Sequence, residues 1–250
     1  PDLQIGFASI EGARLPFAHL AGLLPAGRIL ETQDGGRKAG LEPGDLLVRV
    51  GSVEWPGIPD SVAQIRAAAG QTIDLVVLRA GERIPISAKV NSHGQIGFRF
   101  VDPADAPAII AHAPDFGPPD DKPDAEPTPV PLPAAARLSP PILPGSRIVS
   151  VAGIPVSTFG DVRAALRSAT QDAARAHSPA EVKLELALPF SESEAGAETP
   201  AIEHVSLALT AQELEAIHAL SWSADDIMGA FAVAQFTDIA RNPIDAIAKG

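Results

Sequence analysis

Two stretches of this chain, roughly a hundred residues apart, carry the same structural instructions. Pro43-Gly44-Asp45 leads into Leu47, Val48 and Val50 and then Gly51. Pro144-Gly145-Ser146 leads into Ile148, Val149 and Val151 and then Gly153. Each reads as a turn, a strand, a tight turn and a second short extended piece. A helix signal follows in both. In the first, Asp60 or Ser61 is the N-cap, Gly70 the stop, and Val62, Ile65 and Ala69 the apolar face. In the second, Ser157 or Thr158 is the cap, and Phe159, Val162 and Leu166 share a face. Both stretches then return to alternating strands: "TIDLVVLRAGERIPISAKV", hinged at Ala80-Gly81, and "EVKLELALPF" with "IEHVSLALT". Four features in one order over about 90 residues mark a duplication, so the chain is expected to hold two copies of one module.

The tetrapeptide "QIGF" supports this count. It occurs at Gln4–Phe7 and again at Gln95–Phe98. If each occurrence opens a copy, the first module covers 1–92 and the second 93–210. The second is then interrupted by an insert at about 102–141. Thirteen of the 25 prolines fall between Pro103 and Pro144, and "DFGPPDDKPDAEPTPVPLP" is acidic with Lys122 as its one cation. Such a composition forms no packed core and favours an extended, partly polyproline II course. From Thr210 onward the pattern is helical. Glu213 lies three residues after Thr210, the spacing of a capping box, and a helical tail is expected over 211–250.

Composition narrows the function. With 46% hydrophobic residues the 250-residue chain is globular, and a net charge of −12 repels nucleic acid and anionic lipid. The absence of cysteine removes disulfides and thiolate chemistry. No run of 18 apolar residues and no signal peptide is present, and the chain starts at Pro1, so it is read as a piece of a longer protein. The six histidines (His19, His93, His112, His177, His204 and His218) show no i, i+4 pair of the kind that holds zinc on a helix. No nucleophile elbow or phosphate-binding loop occurs. Neither a catalytic nor a metal-binding residue is assigned, no cofactor is expected in these residues, and Trp55 and Trp222 are expected to pack.

What remains is a binding device. Glycine after an apolar residue lets successive backbone N–H groups converge into an anion-binding nest. If the strand that follows is a sheet edge with a helix beside it, an extended peptide can add as a further strand. Its C-terminal carboxylate would lie in the nest. The residues placed in this role are Gln4, Ile5, Gly6, Phe7 and Ala8 in the first copy, with Ser61 and Ile65 on the facing helix. Gln95, Ile96, Gly97 and Phe98 take it in the second.

Here the chain resembles a known family. "QIGF" is similar to the carboxylate-binding loop of PDZ domains, and "GGRKAGLEPGDLLVRVGSVEW" resembles their Ala-Gly-Leu, Gly-Asp, strand and glycine succession. The second copy lacks the Ala-Gly-Leu stretch and has Ser146 where the first has Asp45. The resemblance implies a mostly β, α+β fold: two circularly permuted PDZ-like, partly open barrels in tandem, followed by the helical tail. A cysteine-free tandem followed by "ARNPIDAI" further resembles the extracytoplasmic part of bacterial site-two proteases, the intramembrane zinc metalloproteases. That family's His-Glu-x-x-His motif is absent from these residues, so zinc and its ligands would lie elsewhere in the parent. The resemblance implies a non-catalytic module on the periplasmic face of a membrane. It would bind peptide or protein C-termini and regulate the access of membrane-protein substrates. The alternative is a PDZ scaffold of a secretion system or of a periplasmic trypsin-like serine protease.

Overall fold

The computed structural model describes residues 20–112, 132–187 and 201–219. Within them the chain is α+β and mostly β, with three antiparallel sheets and a few helices. The first copy runs β1 (Ile29–Thr32), α1 (Asp34–Ala39), β2 (Leu46–Val50), β3 (Val53–Glu54), α2 (Ile58–Ala67), β4 (Thr72–Arg79), β5 (Glu82–Lys89) and β6 (Phe98–Phe100). The second runs β7 (Arg147–Val151), β8 (Ile154–Pro155), α3 (Phe159–Arg175), β9 (Ala180–Ala187) and β10 (Ile202–Leu209), and α4 (Ala211–Ala219) follows. A 3-10 turn at Ala134–Arg137 precedes β7.

The duplication extends to backbone detail. One sheet has the order β3-β2-β4-β5 and the other β8-β7-β9-β10. Each carries a bulge at the same place, between Leu47 and Arg49 and between Ile148 and Ser150. Each Pro-Gly turn is pinned by an upstream segment in the same way. Ile29 N–H donates to Asp45 O and Gly44 N–H to Ile29 O, both at 2.8 Å. Ile110 N–H donates to Ser146 O at 2.8 Å and Gly145 N–H to Ile110 O at 2.7 Å. Alternation does the packing: Ile73, Leu75 and Val77 of β4 are buried, as are Val182, Leu184 and Leu186 of β9. Burying each such side chain contributes roughly 1.5–3 kcal/mol.

Each copy has its own apolar cluster. A third cluster, Ala26, Leu46, Val48 and Trp55 with Ile109 against it, joins them. Trp55 lies over the turn of the second copy, where a Cβ on Gly145 would collide with its indole. The main chains also meet: Ala26 N–H donates to Ile109 O at 2.9 Å and Ala111 N–H to Leu24 O at 2.8 Å.

Two boundaries differ from the sequence expectation. The second "QIGF" packs with the first copy: Ile96, Phe98 and Phe100 join its core, and β6 pairs with β1. Residues 93–101 therefore close the first copy instead of opening the second, because their alternate apolar side chains complete a core that β5 leaves open. The proline-rich insert is shorter than 102–141. Ala106, Ala108, Ile110, Ala111 and Ala134 are buried, and only 113–131 falls outside the described residues. Small alanines and one isoleucine between prolines were enough to build a packed edge. Of the expected helical tail, α4 is described and buries Leu214 and Ile217 in the core of the second copy; the expectation for 220–250, including Trp222, lies outside the described residues.

Helix starts were legible in one copy only. Thr158 caps α3 with Asp161 in a reciprocal box. For α2 the N-cap is Gly57, and Ser61 instead donates its hydroxyl to Gly57 O at 2.8 Å from inside the first turn.

Candidate functional site

The second "QIGF" is a bend whose geometry follows from Gly97. Its φ of +94° lies in the left-handed region, open to glycine and strained for other residues. The bend is held from one side by α1. Gln33 N–H donates to Gly97 O at 2.8 Å. Ile96 O and Gly97 O come so close to the first turn of α1 that a Cβ on Gly35 or Gly36 would collide with them. Both carbonyls therefore point at α1. In a trans peptide the N–H lies opposite its C=O, so the N–H groups of Gly97 and Phe98 both point away from α1. Consecutive amides turned to one side form an anion nest. Among the described residues, Gly97 N–H has no acceptor.

Phe98 prepares the adjoining edge. It lies opposite Thr32, and the Gln33 N–H to Gly97 O bond places this pair in a wide ring of the ladder. The N–H and C=O of Phe98 thus face away from β1. Among the described residues β1 is the only strand partner of β6, so that edge is open to a further strand. Phe98 and Phe100 are half-buried and meet edge to face, ring centres 5.1 Å apart, which gives the edge an apolar floor. Arg99 points the other way and pairs with Glu31 at 3.0 Å.

α2 supplies the wall. Its rotation is fixed at two flanks: a Cβ on Gly51 would meet Gln64 Oε1 at 2.8 Å, and one on Gly94 would meet Arg66 Cα at 3.0 Å. Between these flanks Ser61 and Ile65 face inward and are buried, with Ile65 in the cluster that holds Ile96. Ser61 and Ile65 were expected to line the groove; both are buried on the inner side of α2. Arg66, exposed, lies against Gly94 in the turn that precedes the bend, and Val62, one turn earlier on the helix, is half-buried. Among the described residues Arg66 has no ion-pair partner, and Gly94, which it touches, stands three residues before Gly97. At the start of α2, burial pushes the Asp60 carboxyl above its ordinary value, with His112 pulling it the other way.

The site therefore combines Ile96, Gly97 and Phe98 with the α2 of the same copy, not with that of the other one. Gln95 is exposed and braces the loop: its N–H donates to Asn91 Oδ1 at 2.9 Å and its C=O accepts from Asn91 N–H at 2.9 Å. Gln4, Ile5, Gly6, Phe7 and Ala8 lie outside the described residues. Arg66 and Val62 were missed as wall residues because helical periodicity gives the relative order of faces and not their absolute orientation. A cleft of about 880 Å³ opens on the opposite, α1 side of the bend, lined by polar groups including Gln33, Lys38, Lys89 and Gln95. Ile96 and Gly97 line it too, so the bend itself borders this cleft.

Among the described residues no cluster of three or more histidines and acids could hold a metal ion, and no helix is long and apolar enough to cross a membrane. No protein-family model matches the chain, and no curated protein matches it.

Proposed function

We propose that this chain is a non-catalytic, PDZ-like tandem in which one groove, between β6 and α2, takes the free C-terminus of an extended peptide. The observation that supports the reading is the pair of amides at Gly97 and Phe98 turned together, on a strand whose only partner among the described residues is β1. A carboxylate in the nest would accept both N–H groups, the peptide would pair with Phe98, and its terminal side chain would rest on the apolar floor. The succession of elements, with the bend between β5 and β6 instead of before β1, supports a circularly permuted PDZ arrangement. The resemblance of the sequence supports placing the chain in the extracytoplasmic part of a site-two metalloprotease, where it would govern substrate access without doing chemistry itself.

The test is a titration with peptides that end in a small apolar residue. The expected affinity is on the order of micromolar or weaker, as befits a short added strand. Amidating the terminus removes the charge that the nest holds and is expected to weaken binding about tenfold or more. Gly97→Val, which forces a β-branched residue into the left-handed region, is expected to abolish it. Equal binding of free and amidated peptides would overturn the proposal.

A further inference from the structure

The two copies treat the same chain position in different ways. In the first, the chain that leaves β5 forms the bend and β6. In the second, the chain that leaves β10 turns at once into α4, which lies along α3. Leu214 and Ile217, three residues apart and therefore on one stripe, are fully buried among Val162, Ala165 and Leu166 of α3. We propose that the second copy is a receptor for an amphipathic helix, not for a peptide C-terminus, and that α4 is its resident ligand, bound in cis. This rests on reading the tandem as a binding unit.

The contact has the character of an interface. Two apolar side chains of α4 enter the core, while Gln212 and Glu215 remain exposed. Over its described residues, Ala211–Ala219, α4 sets its apolar stripe against α3. Polar contacts ring the stripe. The Glu213 carboxylate accepts from Ala134 N–H at 2.7 Å, from Thr210 N–H at 2.8 Å and from Arg137 Nη2 at 2.9 Å. The ring of His218 meets Thr170 at 3.0 Å (Nε2 to Oγ1); because that hydroxyl already donates to Leu166 O, the ring nitrogen is the donor. His177 and Glu215 meet at 3.0 Å in solvent. A hydrophobic centre with a polar rim is the anatomy of a docking site. The short tether after β10 keeps α4 at a high effective concentration, so weak contacts suffice to hold it.

The test uses the full chain with Glu213→Gln, which keeps the shape of the side chain and removes its charge, and separately Leu214→Ser. Amide hydrogen exchange is followed in α3, α4, β9 and β10. The expected result is exchange in α4 and along α3 about tenfold faster or more, with Val182–Leu186 of β9 unchanged, since helix and sheet would open independently. A synthetic peptide spanning Thr210–Ala219, added at millimolar concentration to the Glu213→Gln chain, is expected to slow α3 exchange again. The same peptide with Leu214→Asp is not. If neither variant speeds exchange in α3, if α3, β9 and β10 lose protection together, or if the two peptides act alike, α4 is an ordinary part of the core and the proposal is wrong. Failure of C-terminal peptides to bind at Gly97 would strike the function proposed for the first copy and leave these readouts intact.

Discussion

Arg79 grips Asp45 through two parallel bonds, Nε to Oδ1 at 2.7 Å and Nη2 to Oδ2 at 2.8 Å, with the carboxylate almost wholly buried. The pair ties the last residue of β4 to the turn before β2, and Glu42 N–H completes the acceptor set at 2.9 Å. The second copy lacks both members. Ser146 stands in place of Asp45, and in the sequence Leu188 follows Ala187 where Arg79 follows Leu78. Arg79→Ala is expected to cost about 3–5 kcal/mol, because it strands a buried charge. The double variant Asp45→Ser/Arg79→Leu, which copies the second module, is expected to recover much of that loss in urea unfolding.

The glycines of α1 set the bend through space. A methyl group at Gly36 would push on Gly97 O and turn the amides out of line. Gly36→Ala is expected to lower stability by about 1–3 kcal/mol. It should also weaken peptide binding by more than the unfolded fraction explains, as isothermal titration on the folded protein would read.

Asp161 caps α3. The N–H of Thr158, the hydroxyl of Ser157 and its N–H hold the carboxyl down to about 2. A depressed carboxylate stabilises the fold above its unfolded value of 3.8, and the stabilisation disappears as pH falls through about 2. The side chain is exposed, so the effect is that of a cap: Asp161→Asn is expected to cost about 1 kcal/mol at neutral pH. The difference from the parent should shrink between pH 4 and pH 2, measured as the gap between two thermal melts.

Ala80 and Gly81 join β4 to β5 with φ of +51° and +87°, the pattern of a primed two-residue turn. Alanine is costly there. Ala80→Asn is expected to stabilise the chain by about 0.5–1 kcal/mol, seen as a rise in Tm.

Trp55 couples the copies. Trp55→Ala removes the centre of the shared cluster and is expected to cost about 3–5 kcal/mol. Calorimetry should then resolve two transitions where the parent gives one, since each copy retains its own core.

The duplication and every strand of the two main sheets could be read from the sequence, because alternation in β4 and β9 and the Pro-Gly turns are local signals. The partner of each piece was harder to read. "QIGF" at 95–98 looks the same whether it opens one module or closes the other, and only the pairing of Phe98 with Thr32 decides. Ser61 and Ile65 were rightly placed on one helix, yet which face met the bend depended on Gly94 touching Arg66, a contact between residues 28 positions apart. The role of α4 was hidden for the same reason: Leu214 and Ile217 announce an apolar stripe without saying what it covers.

Leu20 and Leu23, at the start of the described chain, and Leu214 and Ile217, at its close, are all sunk in the core of the second copy. The first copy is thus an excursion that leaves that core after Leu23 and returns to it at Ala108. Load carried along the described residues from Leu20 to Ile217 would enter and leave through the core of the second copy, with the first copy looped out between.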